Sequence, residues 1–386
     1  MTEWIECTLD KLGEIVGGAT PSTKCEDYYG GSIPWITPKD LSSFKGRYIT
    51  SGERNITEKG LASCSAQMMP KDAVLFTSRA PIGYVAIASQ SVCTNQGFKS
   101  IVVNEKADPL FVYYLLKYNK DAIEAMGSGT TFKEVSGKTM RAVKVRIPLD
   151  VSYQKRIAAV LDSLDTKIEN NERINDNLQQ QAAALFSSLY DRSNTEVGFT
   201  DLIQILGGGT PKTGENTYWN GNIAFFTPKD VGTPYTLITE KTISKEGLSH
   251  CNSRLYPVNT VFVTARGTVG KVGMSGVPMA MNQSCYALVG KETQQLLVYF
   301  YTLKAVDRLK HKASGAVFDA ITTRDFESEQ IMKLSDDDAT AFLRVAEPMF
   351  QTVLNNNIEN LRLSTLRDSL LPKLMSGEID VSAVQL

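Results

Sequence analysis

The feature that most limits the fold of this chain is a block of motifs that occurs twice, in the same order, about 190 residues apart. Gly17–Pro21 (GGATP) recurs as Gly207–Pro211 (GGGTP), and Ile33–Asp40 (IPWITPKD) recurs as Ile223–Asp230 (IAFFTPKD). Repeats that stack into solenoids have units of roughly 20 to 50 residues. A repeat of this length instead predicts two copies of a complete domain, each followed by a connector.

The later motifs keep this order while their spacing shortens slightly. Arg79 and Arg266 are 187 residues apart, and Ser128 and Ser314 are 186 apart. Small loop deletions explain this drift, so we infer that one ancestral unit was duplicated. With 386 residues, the chain is long enough for several domains that each bury a core.

Each copy combines strand and helix patterns. Short apolar segments at Ala73–Thr77 and Val261–Thr264 predict strands, and Leu110–Glu124 and Thr293–Leu309 predict flanking helices. We therefore expect mixed α/β domains in two pseudo-symmetric copies.

A long helix is predicted between the copies, because Tyr153–Asp191 lacks Gly and Pro. Its apolar residues are spaced alternately by four and three, which is typical of a coiled-coil seam, and a shift of 185 residues finds a second helix with asparagines at the same two seam positions. Pro348 and Pro372 should kink or fray that second helix. The predicted helix–helix contacts are Leu161, Leu164, Ile168, Asn171, Asn175, Leu178, Leu185, Asn356, Asn360, Leu363 and Leu370.

Two interpretations of this seam remain open. The helices pack on each other as a long antiparallel pair whose asparagines set the register, or the polar positions belong to a surface helix. In the first case a helix of ~39 residues, ~58 Å long, would separate the two copies.

Several function classes lack the residues they need. The six cysteines are scattered without a C-x-x-C pair, which predicts reduced thiols and no zinc site. His250 and His311 are the only histidines, so a catalytic triad or metal site that depends on histidine is not expected. No apolar stretch is long enough for a membrane span, and we expect a cytoplasmic protein without catalytic or metal-binding residues.

The order of the motifs, twice over, together with Leu366–Glu378 (LRDSLLPKLMSGE), resembles the specificity subunits of type I restriction-modification systems over nearly the whole chain. The resemblance implies that each copy reads one half of an interrupted sequence in double-stranded DNA. It also implies that the helices dock two methyltransferase subunits and that two motor-nuclease restriction subunits can join. The partners would direct adenine methylation or restriction. S-adenosylmethionine, ATP and Mg²⁺ are expected in those partners and not in this chain.

One alternative is a regulatory DNA-binding protein that acts alone. Another, from a different class, is a coiled-coil interaction scaffold without DNA recognition. A net charge of −1 allows it, because DNA binding would then depend on basic residues gathered on one face.

The same likeness suggests a division of the chain, in which residues 1–15 pack near the C-terminal helix. The predicted segments are a first recognition domain at 1–150, a central helix at 151–192, a second recognition domain at 193–335 and a C-terminal helix at 336–386.

Candidate DNA contacts come from the repeated motifs, and each has a structural alternative. Lys39 and Lys229 either contact phosphates or belong to a structural turn. Arg79 and Arg266 follow strands and either reach the DNA or clamp a carboxylate of their own domain. The loop Gly127–Lys133 either approaches a phosphate or forms a plain hairpin turn. The predicted DNA-binding residues are Lys39, Arg79, Thr130, Lys133, Lys229, Arg266 and Lys271.

The Asn-Gln pairs at Asn95–Gln96 and Asn282–Gln283 have amide groups suited to adenine. They also occur as buried partners of the backbone, and we favour this structural interpretation.

Overall fold

The computed structural model describes residues 3–129, 133–232, 234–312 and 320–384. The chain forms two compact units, one made of Met1–Glu169 with Arg362–Leu386 and the other of Asn170–Leu361. Each unit therefore contains one copy of the repeat together with parts of both long helices.

The first copy alternates short strands with helices. Its strands are β1 (Trp4–Thr8), β2 (Gly13–Gly17), β3 (Tyr29–Ile36), β4 (Tyr48–Ile49), β5 (Arg54–Ile56), β6 (Val74–Ser78), β7 (Ile82–Ala88), β8 (Cys93–Thr94), β9 (Lys99–Val103) and β10 (Lys144–Pro148). Its helices are α1 (Pro38–Ser42), α2 (Glu58–Ala62), α3 (Pro109–Tyr118), α4 (Lys120–Ala125) and α5 (Gly137–Ala142). The strands form one sheet in the order β2-β9-β6-β7-β4, a second in the order β5-β3-β8, and the pair β1-β10.

After the long helix α6 (Val151–Arg192), the second copy repeats this scheme. Its strands are β11 (Thr195–Gly198), β12 (Ile203–Gly207), β13 (Trp219–Phe226), β14 (Tyr235–Thr236), β15 (Lys241–Ile243), β16 (Val261–Thr264), β17 (Val272–Ser275), β18 (Met279–Met281), β19 (Cys285–Gly290) and β20 (Gln330–Lys333). Its helices are α7 (Phe199–Leu202), α8 (Lys245–Ser249), α9 (Gln295–Lys312) and α10 (Thr323–Glu327), and α11 (Asp336–Ser376) follows.

The strand orders of the second copy match those of the first, strand for strand. They are β12-β19-β16-β17-β14, β15-β13-β18 and β11-β20. Two copies of one mixed α/β domain, predicted from the repeated motifs, are therefore confirmed.

The central strand β6 is buried on both faces because each face has its own core. Val74 and Phe76 belong to one hydrophobic core, and Leu75, which points the other way, belongs to another. In β16, Val261 and Phe262 divide in the same way. A continuous apolar segment in both copies thus reflects a strand sandwiched between two layers.

One predicted helix is divided in the first copy. The segment Leu110–Glu124 forms α3 and α4, which meet at Asn119, where the amide Nδ2 donates to the carbonyl of Leu115 at 2.8 Å. Asparagine favours such local bonds over helix continuation. The matching residue of the second copy is Ala305, which lies inside the unbroken helix α9.

The long helices α6 and α11 run antiparallel within each unit. In the first unit, Asp165 of α6 pairs with Arg367 of α11 at 2.6 Å. In the second, Asn175 lies opposite Asn356, and Arg192 lies opposite Asp338. Helix α11 continues through Pro348 and Pro372, so it does not fray there, and the predicted kink stays a prediction. Among the described residues, no helix is long and apolar enough to cross a membrane.

The N-terminal segment packs on the end of α11 inside the first unit. Trp4 pairs with Pro148 through β1 and β10, and its indole lies against Gly377. A Cβ at Gly377 would lie 2.9 Å from the indole ring, and its φ of +79° also favours glycine. Leu9 shares a core with Leu374. The residue-level domain boundaries stay predictions.

Candidate nucleic-acid interface

The Gly-Gly-x-Thr-Pro loop contacts the Asn-Gln loop in the first copy. A Cβ at Gly18 would lie 2.0 Å from the carbonyl oxygen of Asn95, so only glycine permits this approach. The amide of Ala19 donates to the carbonyl of Thr94 at 3.0 Å, and the Thr20 hydroxyl hydrogen-bonds the side chain of Gln96. Two motifs that are far apart in sequence therefore form one surface.

The second copy makes the same contacts. A Cβ at Gly208 would lie 2.1 Å from the carbonyl oxygen of Asn282, and the Thr210 hydroxyl hydrogen-bonds Gln283. The Asn282 side chain accepts from the amide of Ser284 at 3.0 Å. In the first copy, Asn95 likewise accepts from the amide of Gly97, at 2.8 Å. These asparagines thus accept from the backbone of their own loops, as the structural interpretation holds, but they are half-buried and Gln96 and Gln283 are exposed.

In the Thr-Pro-Lys-Asp motif, the aspartate shapes the turn. Asp40 accepts hydrogen bonds from the amide and hydroxyl of Thr37, at 2.7 and 2.6 Å, and from the amide of Glu53 at 2.8 Å. Asp230 makes the corresponding contacts in the second copy. The aspartate therefore has a structural role that leaves the neighbouring lysine on the surface.

Each of these lysines is highly exposed and pairs with one glutamate. Lys39 Nζ lies 2.7 Å from Glu53, and Lys229 Nζ lies 3.5 Å from Glu240. The hydrogen bond from Lys39 lowers the pKa of the Glu53 carboxyl. Exposed ion pairs contribute little to stability, so a phosphate can replace the glutamate at small cost. Neither lysine is therefore held strongly by its glutamate.

The two arginines differ in their surroundings. Arg79 follows β6, and its Nη1 lies 3.4 Å from Glu134, whose other carboxylate oxygen lies 3.4 Å from Lys99 Nζ. Arg266 is exposed, lies beside Ala320 in a β-bridge, and makes no ion pair with any residue that the structure describes. The first arginine does contact a carboxylate of its own domain, while remaining one-third exposed.

The structure gives fewer contacts for the remaining predicted DNA-binding residues. Lys133 and Lys271 are exposed, and the Lys271 amide donates to the hydroxyl of Thr264 at 3.0 Å, next to the turn that carries Arg266. Thr130 lies outside the described residues.

Sequence reasoning missed Glu134 and Lys99. A comparison of charges between the aligned copies could have found them, because the residues matched to them are the uncharged Ala320 and Tyr286.

The seam asparagines form a hydrogen-bonded network between the long helices of the second unit. Asn171 Nδ2 donates to Asn360 at 2.8 Å and to Glu359 at 2.7 Å. Asn356 Nδ2 donates to Asn175 at 2.8 Å. The four predicted asparagines are thus brought together in two pairs.

The leucines and the isoleucine predicted for the seam between α6 and α11 are all buried or half-buried. Leu161 is fully buried and shares a core with Leu374. The others are half-buried: Leu164, Ile168, Leu178, Leu185, Leu363 and Leu370.

Arg367, which breaks the apolar seam, belongs to a buried polar cluster in the first unit. Its guanidinium pairs with Asp165, which also accepts from the hydroxyl of Tyr114 at 2.7 Å. Burial and the Asp165 charge raise the pKa of the Tyr114 hydroxyl. Burial lowers the pKa of Arg367, but the hydrogen bond and charge of Asp165 outweigh it, and the net shift is upward.

A second buried arginine, not predicted from the sequence, fastens the first copy to α6. Arg47 is only 6% exposed and donates to the carbonyl of Asp162, the hydroxyl of Thr166 and the carboxylate of Glu169, at 2.8 to 3.1 Å. The residue matched to it in the second copy is Pro234. The two copies are therefore attached to the helices by different chemistry.

Within the described ranges, no group of three or more His, Cys, Asp or Glu side chains could hold a metal ion.

Two mixed α/β domains with matching motif loops, joined to long antiparallel helices, define a class of proteins built from a duplicated domain. The model of the type I restriction modification DNA specificity domain matches residues 1–180 and again 194–333. The chain belongs to this family, and the prediction made from the repeated motifs is confirmed.

Relatives support the same assignment. The chain is 30% identical over 407 residues to the type I restriction enzyme MjaIX specificity subunit of Methanocaldococcus jannaschii, with 98% of this chain and 94% of that protein covered. It is 24% identical over 370 residues to the HindI specificity subunit of Haemophilus influenzae, with 73% and 80% covered. The crystal structure of a type I S subunit from M. genitalium has a TM-score of 0.64 at 16% identity, covers 97% of this chain and 96% of that chain, and shows the shared fold.

Proposed function

We propose that this specificity subunit recognises an interrupted DNA sequence in two parts and that each copy of the repeat reads one part. The observation that carries this proposal is the gathering of the same motif loops in both copies through the same contacts. A recognition surface that is built twice suits a target with two halves.

Within each copy, Lys39 and Lys229 are proposed to contact phosphates, because they stand exposed beside a turn that another residue fixes. Arg79 and Arg266 are proposed to reach base edges from the ends of their strands, where a guanidinium can bond guanine O6 and N7 together. Thr130, Lys133 and Lys271 complete the proposed surface.

The chemistry is assigned to partner subunits. This chain would position two methyltransferase subunits, which carry S-adenosylmethionine, over target adenines, and two restriction subunits with ATP and Mg²⁺ would join them in the cytoplasm. The chain itself would act without catalysis. This proposal draws on the named relatives, which are specificity subunits of restriction enzymes.

The test is methylation-sensitive sequencing of a host genome after expression of the full chain with a type I methyltransferase subunit. The expected result is one interrupted motif with methyladenine in both halves, absent when the methyltransferase subunit is expressed alone. A stable complex that methylates no defined motif would overturn the proposal and favour the interaction scaffold.

A further inference from the structure

Three charged side chains meet beside the end of β6 in the first copy. The Glu134 carboxylate lies between the Arg79 guanidinium and the Lys99 ammonium, 3.4 Å from each. Glu134 and Arg79 are 39% and 34% exposed, whereas Lys99 is 16% exposed. The arginine and glutamate therefore face solvent, with the lysine beneath them.

The backbone holds Glu134 firmly in this position. Its amide donates to the Ser128 carbonyl at 2.9 Å, and the Ser128 amide donates back at 3.1 Å. The next residue, Val135, donates to the carbonyl of Ser78, the last residue of β6, at 3.0 Å. The backbone of Glu134 is thus held beside the strand that ends just before Arg79.

The fold does not need this charged group. In the second copy, Ile321 donates to the carbonyl of Ala265 at 2.9 Å, as Val135 does to Ser78, which matches Glu134 with Ala320. In the strand register, Lys99 pairs with Gly17. Its match Tyr286 pairs with Gly207 in the same way.

The second copy therefore builds the same strand ends with an alanine and a tyrosine. The charged group is a property of the first copy and needs another explanation than folding.

A carboxylate on a surface that meets DNA repels phosphates and lowers general affinity. A benefit can instead come from the geometry that the carboxylate imposes on the neighbouring Arg79. The Glu134 carboxylate contacts the Arg79 guanidinium through one nitrogen, Nη1, at 3.4 Å, which favours one orientation of the group and leaves its other N–H groups free. An arginine ordered in this way loses less conformational freedom when it bonds the O6 and N7 of a guanine.

We infer that Glu134 is a positioning residue, which orders Arg79 for recognition of a base pair in the half of the target read by the first copy. This inference rests on the proposed function. It also implies that Arg266 in the second copy is not ordered by a carboxylate at this position, because the residue matched to Glu134 there is Ala320.

The test compares Glu134→Gln, which keeps the shape and removes the charge, with Glu105→Gln as a control. Glu105 is exposed and follows the opposite end of β9 from Lys99, so the control changes the charge of the domain equally. The full chain in its methyltransferase complex is measured in competition binding, with the wild-type target and with duplexes that each carry one altered base pair.

We expect Glu134→Gln to reduce discrimination at one G·C pair of the first half by about tenfold, within the range for a lost two-point arginine contact. Discrimination throughout the second half should not change, and Glu105→Gln should change neither half. Arg79→Lys should cause a loss at the same base pair, and Glu134→Gln should add nothing to it in the double variant. The methylated motif should become degenerate at that position only.

A uniform change in affinity for all duplexes, or additive losses in the double variant, would overturn the inference. So would equal discrimination by wild type and Glu134→Gln. Absence of any defined motif for the wild-type complex would instead refute the proposed function itself, so the two failures are distinguishable.

Discussion

At the scale of single residues, the two copies solve the same packing problem with different chemistry. In the first unit, Asp165 and Arg367 form a buried ion pair that Tyr114 completes. The matching residues of the second unit are Phe350 and Ala182, both buried in an aromatic core. A buried ion pair is often no more stable than apolar residues of similar volume, but it becomes unfavourable when one partner is removed.

We therefore expect Arg367→Met to lower the free energy of unfolding by about 3 kcal/mol, because Asp165 would remain buried without its cation. The triple variant Tyr114→Phe/Asp165→Leu/Arg367→Met should recover most of this loss, because it also removes the buried hydroxyl that would otherwise lose its acceptor. Urea titrations monitored by circular dichroism measure the free energy of unfolding of each variant. Arg362→Met, at an exposed position of α11, is the matched control, and an equal effect of the two single variants would contradict the prediction.

At the scale of elements, the long helices were predictable because helical periodicity is local. The spacing of apolar residues located both helices and their asparagines. Helix α6 has its predicted bounds, 151–192, whereas α11 ends at Ser376, ten residues before the predicted end at 386. The same approach did not find Arg47, whose partners lie more than a hundred residues away on α6. Nor did it detect the break at Asn119, where one side-chain hydrogen bond outweighs helical periodicity.

The asparagine network yields a prediction for the helix pair. Asn175→Ala should lower the free energy of unfolding by about 1–3 kcal/mol, because Asn356 and Asn357 each lose a partner in a half-buried site. Urea midpoints of the full chain provide the measurement. Asn177→Ala changes the same residue type on the exposed face of α6 and should stay within about 0.5 kcal/mol of wild type. If the two variants were equally stable, the network would not stabilise the helix pair.

At the scale of the whole molecule, the repeated motifs predicted a duplicated domain. The structure shows the same strand order in both copies. The candidate site was only partly predictable. Sequence indicated which loops carry repeated polar residues, but not that Thr20 meets Gln96 or that Glu134 meets Arg79, because those contacts depend on how distant strands pair. Repetition identifies what the copies share, whereas their differences became interpretable only in the structure.

Because Lys39 and Lys229 have matching surroundings, their removal should have matching effects. Lys39→Ala and Lys229→Ala should each reduce the slope of log affinity against log salt by about 1, and the double variant by about 2. DNA binding by the full complex over a salt series tests this. Lys71→Ala removes an exposed charge that precedes β6, at the end opposite Arg79, and should leave the slope unchanged. Unequal slopes for the two single variants would show that the copies do not contact DNA equivalently.

The first unit draws its core from both ends of the sequence, since Leu374, Met375 and Val381 pack with residues near Leu9 and Leu12. The second unit is continuous, from Asn170 to Leu361. During synthesis on the ribosome, the second unit can therefore complete its core while the first, although translated earlier, still lacks part of its own. We expect the first unit to complete its core after the second.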